Sequence, residues 1–240
     1  MSRALLDWNA RNPFCATCGQ PTLSINAGAK RICPPTDLAR SRSATTTIDR
    51  GENDLRIKRP PCSSRTSRSN LAFPRTDPTI IVAVLSHDRQ RVLLGRQRSW
   101  PPKRFSTLAG FVEPAESVED AVRREVWEES GVLLSRVVIH STQPWPYPAN
   151  LMIGAIAQVV DEAHEQIQLN NDPELESAQW FTLQEIKESL AAGTTDFGNP
   201  TTITPTESSL KLPPPTAIAH QLINAVVHDD FLAGMLSAKI

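Results

Sequence analysis

The sequence predicts an α/β domain preceded by a small metal-binding segment, and three patterns indicate this. Apolar, β-branched runs such as TIIVAVL at 79–85 predict buried strands. The stretch at 117–131 has the apolar spacing of an amphipathic helix and lies between two such runs. All four cysteines lie within the first 62 residues. We therefore expect residues 1–76 to form an N-terminal metal-binding segment and residues 77–240 to form the α/β domain.

The bulk composition is that of a globular chain with no overall preference for polyanions. The 240 residues are 40% hydrophobic, and 25 Lys and Arg stand against 26 Asp and Glu. The formal net charge of -1 gives no sign of a nucleic-acid coat or a membrane-surface binder. The apolar runs are far shorter than a membrane span, and the first residues lack a secretory core. We expect an intracellular protein without membrane association, in which cysteines bind metal more often than they form disulfides.

Strands, helices and loops alternate after residue 76. Polar residues rich in Ser, Thr and Arg predict a disordered insert at about 34–61, and a second loop is predicted at about 193–216. Thr182 is expected to cap a helix over 182–192, and one or two helices follow from Ala217. Strands are predicted at 79–85, 91–95, 105–112, 136–142, 151–160 and 177–181.

The helix at 117–131 carries three glutamates on one side. Ser117 can cap its start, and Gly131 is the residue type expected just past a helix end. The stripe of Val118, Ala121, Val122 and Val126 is expected to be buried, and it leaves Glu125, Glu128 and Glu129 opposite. Each like-charge contact at this spacing costs roughly 0.2 to 0.5 kcal/mol. A solvated face is the alternative, but only Arg123 and Arg124 are near, no base is interleaved among the three carboxylates, and such a cluster suits Mg²⁺ or Mn²⁺.

The residues around these glutamates, and their spacing, resemble the Nudix box. It reads Gly, five residues, Glu, seven residues, Arg-Glu, two residues, Glu-Glu, one residue and Gly, over residues 110–131. The resemblance implies an α/β/α sandwich with a mixed sheet, and hydrolysis of a nucleoside diphosphate linked to another moiety. It also implies that the carbonyl of Ala109 joins Glu125, Glu128 and Glu129 in binding divalent ions. Glu116 and Arg124 are then expected to pair and hold the loop against the helix.

A carboxylate must also accept a proton from the attacking water. The position of that base varies within the family, so Glu128 and Glu174 are both candidates. Glu174 resembles a downstream metal-binding glutamate of relatives. Glu176 lies two residues further on and would face the same side of a strand. By residue type alone, either is a surface acid.

A proline-rich stretch, TQPWPYPAN at 142–150, follows the box. Alternating prolines and rings predict a stiff, extended strip, which could also be a packed loop or a ligand for another domain. It resembles the SQPWPFPxS array of the NADH pyrophosphatase subfamily, with changes at Thr142, Tyr147 and Asn150 that leave the choice between reduced and oxidised nicotinamide open. The resemblance implies that substrate is bound by Gln143, Pro144, Trp145, Pro146, Tyr147, Pro148, Ala149 and Asn150, and by Phe73 and Ala219.

The four cysteines predict a structural zinc ribbon. Cys15 and Cys18 form a Cys-x2-Cys knuckle, and Cys33 and Cys62 complete a tetrahedral set. The subfamily typically has a second Cys-x2-Cys, so this chain departs by a long insert between its third and fourth ligands, which costs little to loop out. Free thiols or a disulfide are the alternatives. Nucleic-acid binding is disfavoured because no aromatic residues are interleaved among the basic ones: Arg40, Arg42, Arg56, Lys58, Arg59, Arg65 and Arg68.

These features together predict a zinc-containing hydrolase that resembles NADH pyrophosphatase and cuts NADH or NAD⁺ into AMP and nicotinamide mononucleotide. Three alternatives stay open: an ADP-ribose or diadenosine polyphosphate hydrolase, removal of NAD caps from RNA, and a noncatalytic nucleotide- or RNA-binding module. Relatives often carry a further N-terminal domain. Only fourteen residues precede Cys15, so we expect any substrate group or homodimer contact from that domain to be absent.

The last three residues bear on localisation. Ala238, Lys239 and Ile240 resemble a Ser-Lys-Leu peroxisomal address, although a Lys near a helix end has an equally simple explanation. Peroxisome and cytoplasm are therefore both expected.

Overall fold

A computed structural model of the chain describes residues 2–36, 58–147, 149–192 and 210–228. Contacts divide the chain into two compact units, Met1–Thr76 with Pro146–Ala149, and Asp77–Trp145 with Asn150–Ile240. Most of the predicted insert at 34–61, most of the predicted loop at 193–216, Pro148 and the possible address at 238–240 lie outside the described residues. No helix in the described ranges is long and apolar enough to cross a membrane.

The first unit is small and is built around its cysteines. It contains helix α1 (Ser2–Arg11), strands β1 (Leu23–Ile25), β2 (Lys30–Ile32) and β3 (Leu71–Ala72), and the single-turn helix α2 (Ser63–Thr66). The strands form an antiparallel sheet in the order β1-β2-β3. Its largest buried cluster is Cys15, Cys33 and Cys62 with Cys18 packed against them. A unit of this size cannot bury a large apolar core, so apolar packing alone gives it little stability. A metal bound by the cysteines would supply the remaining folding free energy.

The second unit is a six-stranded mixed sheet. Strand β4 pairs in parallel with β8, and every other pairing in the sheet is antiparallel. The strand order is β7-β8-β4-β5-β9, and β6 pairs with the first half of β4. The strands are β4 (Asp77–Leu85), β5 (Arg91–Gln97), β6 (Leu108–Phe111), β7 (Leu134–Trp145), β8 (Asn150–Val159) and β9 (Leu175–Thr182).

Helices cover both faces of this sheet. Because side chains alternate along a strand, Ile80, Val82 and Val84 of β4 enter one core and Ile81, Ala83 and Leu85 enter the other. Helix α3 (Val118–Ser130) packs on the first core, and helices α4 (Leu183–Ala191) and α5 (Ile218–Val227) pack on the second. The predicted α/β/α sandwich with a mixed sheet is confirmed.

Both predicted helix starts are confirmed. The hydroxyl of Ser117 accepts a hydrogen bond from the Asp120 backbone N–H at 3.2 Å, and α3 ends at Gly131, whose φ of 74° suits glycine. Thr182 caps α4 in a capping box with Glu185.

The proline-rich stretch is a hairpin, so the prediction of one extended strip is wrong. Strand β7 continues through Pro144 and Trp145, which pair with Leu151 and Asn150, and the chain turns at Pro146 and Tyr147. Strand β7 is at the edge of the sheet, where a proline need not donate a ladder hydrogen bond. The strand can therefore extend into the prolines, and only the later residues of the stretch form the turn.

Candidate active site and metal centre

An open cavity of about 550 Å³ lies in the second unit, beside helix α3. It gathers carboxylates from three places: the segment before α3 provides Glu113, α3 provides Glu125 and Glu128, and the segment before β9 provides Asp172 and Glu174. Ala109, Phe111, Trp145, Asn150 and Ala219 also line it. The cavity thus brings together predicted metal-binding and substrate-binding residues that are far apart in sequence.

Glu129 is the buried member of the group. Its exposed fraction is 4%, and its Oε2 atom has no hydrogen-bond partner among the described residues. Burial raises the pKa of Glu129 to about 8, and the charges of Glu174 and Glu125 add to this, while a hydrogen bond from the backbone of Ala109 opposes it. A buried carboxylate with an unsatisfied oxygen is costly unless a cation is bound, so this group fits a divalent ion.

Arg124 organises the remaining glutamates. Its guanidinium contacts Glu116 at 2.8 Å, Glu125 at 2.9 Å and Glu128 at 3.0 Å. The predicted pairing of Arg124 with Glu116 is confirmed, and this hydrogen bond holds the pKa of Glu116 below its usual value. The expectation of a helix face without an interleaved base is corrected, because Arg124 forms ion pairs with Glu125 and Glu128, while Glu129 has no ion-pair partner among the described residues.

Gly110 is required by the close approach of Glu125 to strand β6. A Cβ atom at residue 110 would lie 1.9 Å from Cδ of Glu125. Burial raises the pKa of Glu125, although its hydrogen bond with Arg124 opposes the shift. The first glycine of the box therefore makes room for a carboxylate.

A loop docked on the end of α3 carries Glu174. The Asn171 side chain donates to the Trp127 carbonyl at 3.0 Å, and the Asp172 backbone N–H donates to the Glu128 carbonyl at 3.1 Å. Glu174 then lines the cavity, whereas Glu176 forms an ion pair with Arg96. Sequence reasoning missed Asp172, for which the acidic run DPELE was the available signal.

The hairpin after β7 contributes to the cavity through Trp145 and Asn150. The Trp145 side chain is 42% exposed. Asn150 donates from Nδ2 to the Thr79 hydroxyl at 3.0 Å, while its Oδ1 is buried without a partner among the described residues. This oxygen can accept a hydrogen bond from a ligand.

The side-chain amide of Gln143 forms hydrogen bonds at both its nitrogen and its oxygen, next to the start of α5. Its Nε2 donates to the Thr216 carbonyl at 2.8 Å, and its Oε1 accepts from the Ile218 backbone N–H at 2.9 Å. Ile218 is the first residue of α5, whose cap residue Ala217 provides no side-chain hydrogen bond. Gln143 therefore caps α5 from a distant strand.

The other predicted substrate-binding residues have varied surroundings. Ala219 is buried in the cavity wall, and Pro144 is exposed on β7. Phe73, Pro146, Tyr147 and Ala149 belong to the first unit, where Lys30 lies over the Phe73 ring and Arg3 over the Tyr147 ring. Sequence reasoning missed Phe111, a 53% exposed ring on the cavity.

The four cysteines converge in the first unit. Their sulfur atoms all lie within 4.8 Å of one another, with 3.6 Å between Cys18 and Cys33 and 3.8 Å between Cys15 and Cys62. Burial would raise the pKa of the Cys15 thiol, but hydrogen bonds from the backbone of Cys18 and Thr17 bring it down to about 6. Four clustered thiols, one of them readily ionised, fit a tetrahedral structural zinc ion.

Two known protein families match this chain, and each match includes residues of one of the two candidate metal centres. Residues 75–198 match the NUDIX domain, which is just over half of the chain. The protein belongs to the Nudix family. Residues 10–39 match the NADH pyrophosphatase zinc ribbon domain. That match contains three of the four cysteines, and the structure adds Cys62 as the fourth.

This Nudix protein also resembles individual proteins. It is 38% identical to the NAD-capped RNA hydrolase NUDT12 of Macaca fascicularis over 222 residues, which cover 92% of this chain and 39% of that protein. It is 34% identical to the mitochondrial NAD(P)H pyrophosphatase NUDT13 of Mus musculus over 223 residues, which cover 92% of this chain and 52% of that protein. The chain thus spans about half, or less, of the length of these curated relatives. A solved Nudix hydrolase from Nitrosomonas europaea aligns with a TM-score of 0.41 and 22% identity, over 67% of this chain and 90% of that one.

Proposed function

We propose that this Nudix protein hydrolyses the pyrophosphate bond of NADH or NAD⁺, giving AMP and the reduced or oxidised nicotinamide mononucleotide. The observation that carries the proposal is the buried Oε2 of Glu129, which has no hydrogen-bond partner among the described residues and belongs to the helix whose Glu125 and Glu128 line a 550 Å³ cavity. The zinc ribbon match and the relatives named as acting on NAD(P)H or NAD-capped RNA favour a dinucleotide substrate.

Glu125, Glu128, Glu129 and Glu174, with the carbonyl of Ala109, are proposed to hold Mg²⁺ or Mn²⁺. When bound, such ions neutralise the diphosphate and lower the pKa of a coordinated water. The protein's part is to hold the carboxylates in place. Arg124 fixes Glu125 and Glu128 through hydrogen bonds, and the docked loop before β9 presents Glu174.

The reaction also needs a proton acceptor. Water adds to one phosphorus, the bridging P–O bond breaks, and the proton passes to a carboxylate. Glu128 and Glu174 are the candidates, because both line the open cavity. Trp145 offers an exposed ring for stacking on a base, and Asn150 offers a free acceptor oxygen for an amino, amide or hydroxyl group of the substrate.

NAD-cap removal from RNA is the second candidate, since it breaks the same bond and a relative at 38% identity carries that name. A substrate panel tests both proposals. The purified chain is incubated with NADH, NAD⁺, ADP-ribose, diadenosine tetraphosphate and NAD-capped RNA, and products are separated by chromatography. We expect AMP and nicotinamide mononucleotide from NADH or NAD⁺, and a 5′-monophosphate end from capped RNA. Turnover of ADP-ribose or diadenosine tetraphosphate in preference to these substrates would overturn the proposal.

The sequence also bears on the location and the assembly of the protein. We propose the cytoplasm or the peroxisome, on the resemblance of residues 238–240 to a peroxisomal address. Imaging of the tagged protein with a free and a masked C-terminus separates the two. We also propose a homodimer that needs no contact from a further N-terminal domain, and the molar mass in solution measured by light scattering tests it.

A further inference from the structure

Charge is divided unevenly between the two units. Residues 1–76 carry 13 Lys and Arg against 5 Asp and Glu, and residues 77–240 carry 12 against 21. Residues 37–57 hold four charges of each sign, so the basic excess of the first unit belongs to its described residues, where nine basic side chains stand against Asp7 alone. The near-zero net charge of the chain is therefore the sum of a strongly basic first unit and an acidic second unit.

Asp7 does little to offset this excess. It forms an ion pair with Arg11 at 3.0 Å within α1. Lys58 and Arg68 are exposed, and neither has an ion-pair partner in the part of the chain that the structure describes. Positive charge is therefore available to a polyanion on the surface of this unit.

The fold places cations against exposed aromatic rings. The Lys30 ammonium lies 3.7 Å from the centre of the Phe73 ring, and the Arg3 guanidinium lies 4.7 Å from the centre of the Tyr147 ring. The two rings remain 55% and 57% exposed. Each pair thus combines a flat surface for a base with a charge for a phosphate. These partners are 43 and 144 residues apart in sequence, which is why the basic residues of this region showed no interleaved aromatics in the sequence.

We propose that the zinc ribbon unit binds the single-stranded RNA chain that follows an NAD cap. Its basic side chains contact the phosphates, and the rings of Phe73 and Tyr147 stack on bases without reading sequence. This inference rests on the proposed function. It adds that the RNA chain beyond the cap is part of the substrate and has its own binding surface on the protein. Free NADH has only two phosphates, so it gains little from a surface that spans several.

Binding of uncapped RNA tests the surface without requiring hydrolysis. Fluorescence anisotropy is measured with a 20-nucleotide single-stranded RNA bearing a 5′-monophosphate, at 50 to 300 mM salt. The variant Lys58→Gln/Arg68→Gln is compared with Arg98→Gln/Lys187→Gln, which removes two exposed charges from the second unit. Each lost phosphate contact is expected to lower the salt slope by about 0.7 and the affinity at 0.1 M salt by about fivefold. We therefore expect the first variant to bind about 25-fold more weakly and the second to match the parent. Absence of RNA binding, or equal losses in the two variants, would overturn the proposal.

The rings are tested in the same binding assay. Phe73→Leu and Tyr147→Leu keep apolar bulk but remove the flat surface, and each is expected to weaken RNA binding at least fivefold with an unchanged salt slope. Unchanged RNA affinity in both variants would show that stacking on these two rings does not contribute to RNA binding.

Turnover separates this inference from the proposed function. Lys58→Gln/Arg68→Gln is expected to lower kcat/KM for NAD-capped RNA and to leave kcat/KM for NADH unchanged. Equal effects on both substrates would contradict a separate RNA surface. RNA binding by a parent that hydrolyses neither substrate would refute the proposed function while leaving the RNA surface intact.

Discussion

The two candidate metal centres differ in their access to solvent. Three of the four cysteines are buried, and their sulfurs converge within 4.8 Å. Glu125, Glu128 and Glu174 line an open 550 Å³ cavity, and Glu129 is buried on the same helix as the first two. A closed set of ligands holds an ion that completes a fold, whereas an open set leaves room for water and substrate. Substitutions should therefore affect folding at one centre and turnover at the other.

The largest expected effect is at the closed centre. Cys62→Ser removes one thiolate, and a structural zinc ion in a small ribbon contributes about 10 kcal/mol or more to folding. We expect loss of bound zinc and of amide protection in β1, β2 and β3. Mass spectrometry of bound metal and hydrogen exchange measure both. Ser24→Ala on β1 serves as the control, and zinc retained by Cys62→Ser at the parent's affinity would contradict a four-cysteine site.

Gly110→Ala tests the open centre with a single added methyl group. The new Cβ would overlap Glu125, and a ligand displaced by about 1 Å can cost roughly 100-fold in rate. We expect kcat for NADH to fall by about that factor. In a Glu125→Asp background the carboxylate is shorter, so the same glycine change should cost much less. An equal cost in both backgrounds would show that Gly110 acts in another way.

Substitutions at Gln143 test whether its side chain holds the start of α5 in place or contacts the substrate. Gln143→Leu removes two hydrogen bonds worth about 1 kcal/mol each to stability, so we expect the start of α5 to be destabilised by about 2 kcal/mol, the Ile218 amide to exchange faster and kcat/KM to fall. Gln143→Glu keeps an acceptor for the Ile218 N–H, and a helix start favours its charge, but its second oxygen would face the Thr216 carbonyl, so it should restore only part of the loss. If the side chain contacted the diphosphate instead, repulsion would make the Glu variant worse than the Leu variant.

The smallest effect is expected at the start of α4, whose capping residues belong to neither centre. Thr182→Ala removes the cap and should destabilise the fold by about 1 kcal/mol without changing turnover. The side chain and backbone N–H of Thr182 hold the pKa of Glu185 below its usual value. The stabilisation from Glu185 is therefore complete above the unfolded carboxyl pKa and is lost as pH falls through the folded value. Denaturant unfolding of Glu185→Gln and the parent should differ at neutral pH and converge in acid. A constant difference across this range would argue against the charge-dependent cap.

Local spacing made much of the open centre predictable. The glutamates of α3, its Ser117 cap and its Gly131 end lie within fifteen residues, where helix geometry alone decides which side chains are neighbours. The pair of Arg124 and Glu116 was likewise predicted. The core strands were predictable because β-branched residues are enriched in strands, where their side chains pack well against neighbours.

Contacts between distant parts of the chain were harder to predict. Gln143 meets Thr216 and Ile218 across more than 70 residues, and the Asn171 loop meets α3 across 44. The hairpin at 146–149 was missed because prolines predict extension, while pairing between β7 and β8 decides where the chain turns. Periodicity contains no information on such pairings, since they depend on the packing of the whole sheet.

The most direct test of the central claim, that the crowded glutamates hold catalytic metal, is AMP release from NADH in the presence of Mg²⁺ or Mn²⁺. The parent is compared with Glu129→Gln and with Glu119→Gln, which removes the same charge from the first turn of the same helix. A lost metal ligand costs several kcal/mol of transition-state stabilisation, so we expect Glu129→Gln to slow AMP release by roughly three orders of magnitude and Glu119→Gln to match the parent. Equal rates for Glu129→Gln and the parent would contradict the assignment of these glutamates to a catalytic metal site.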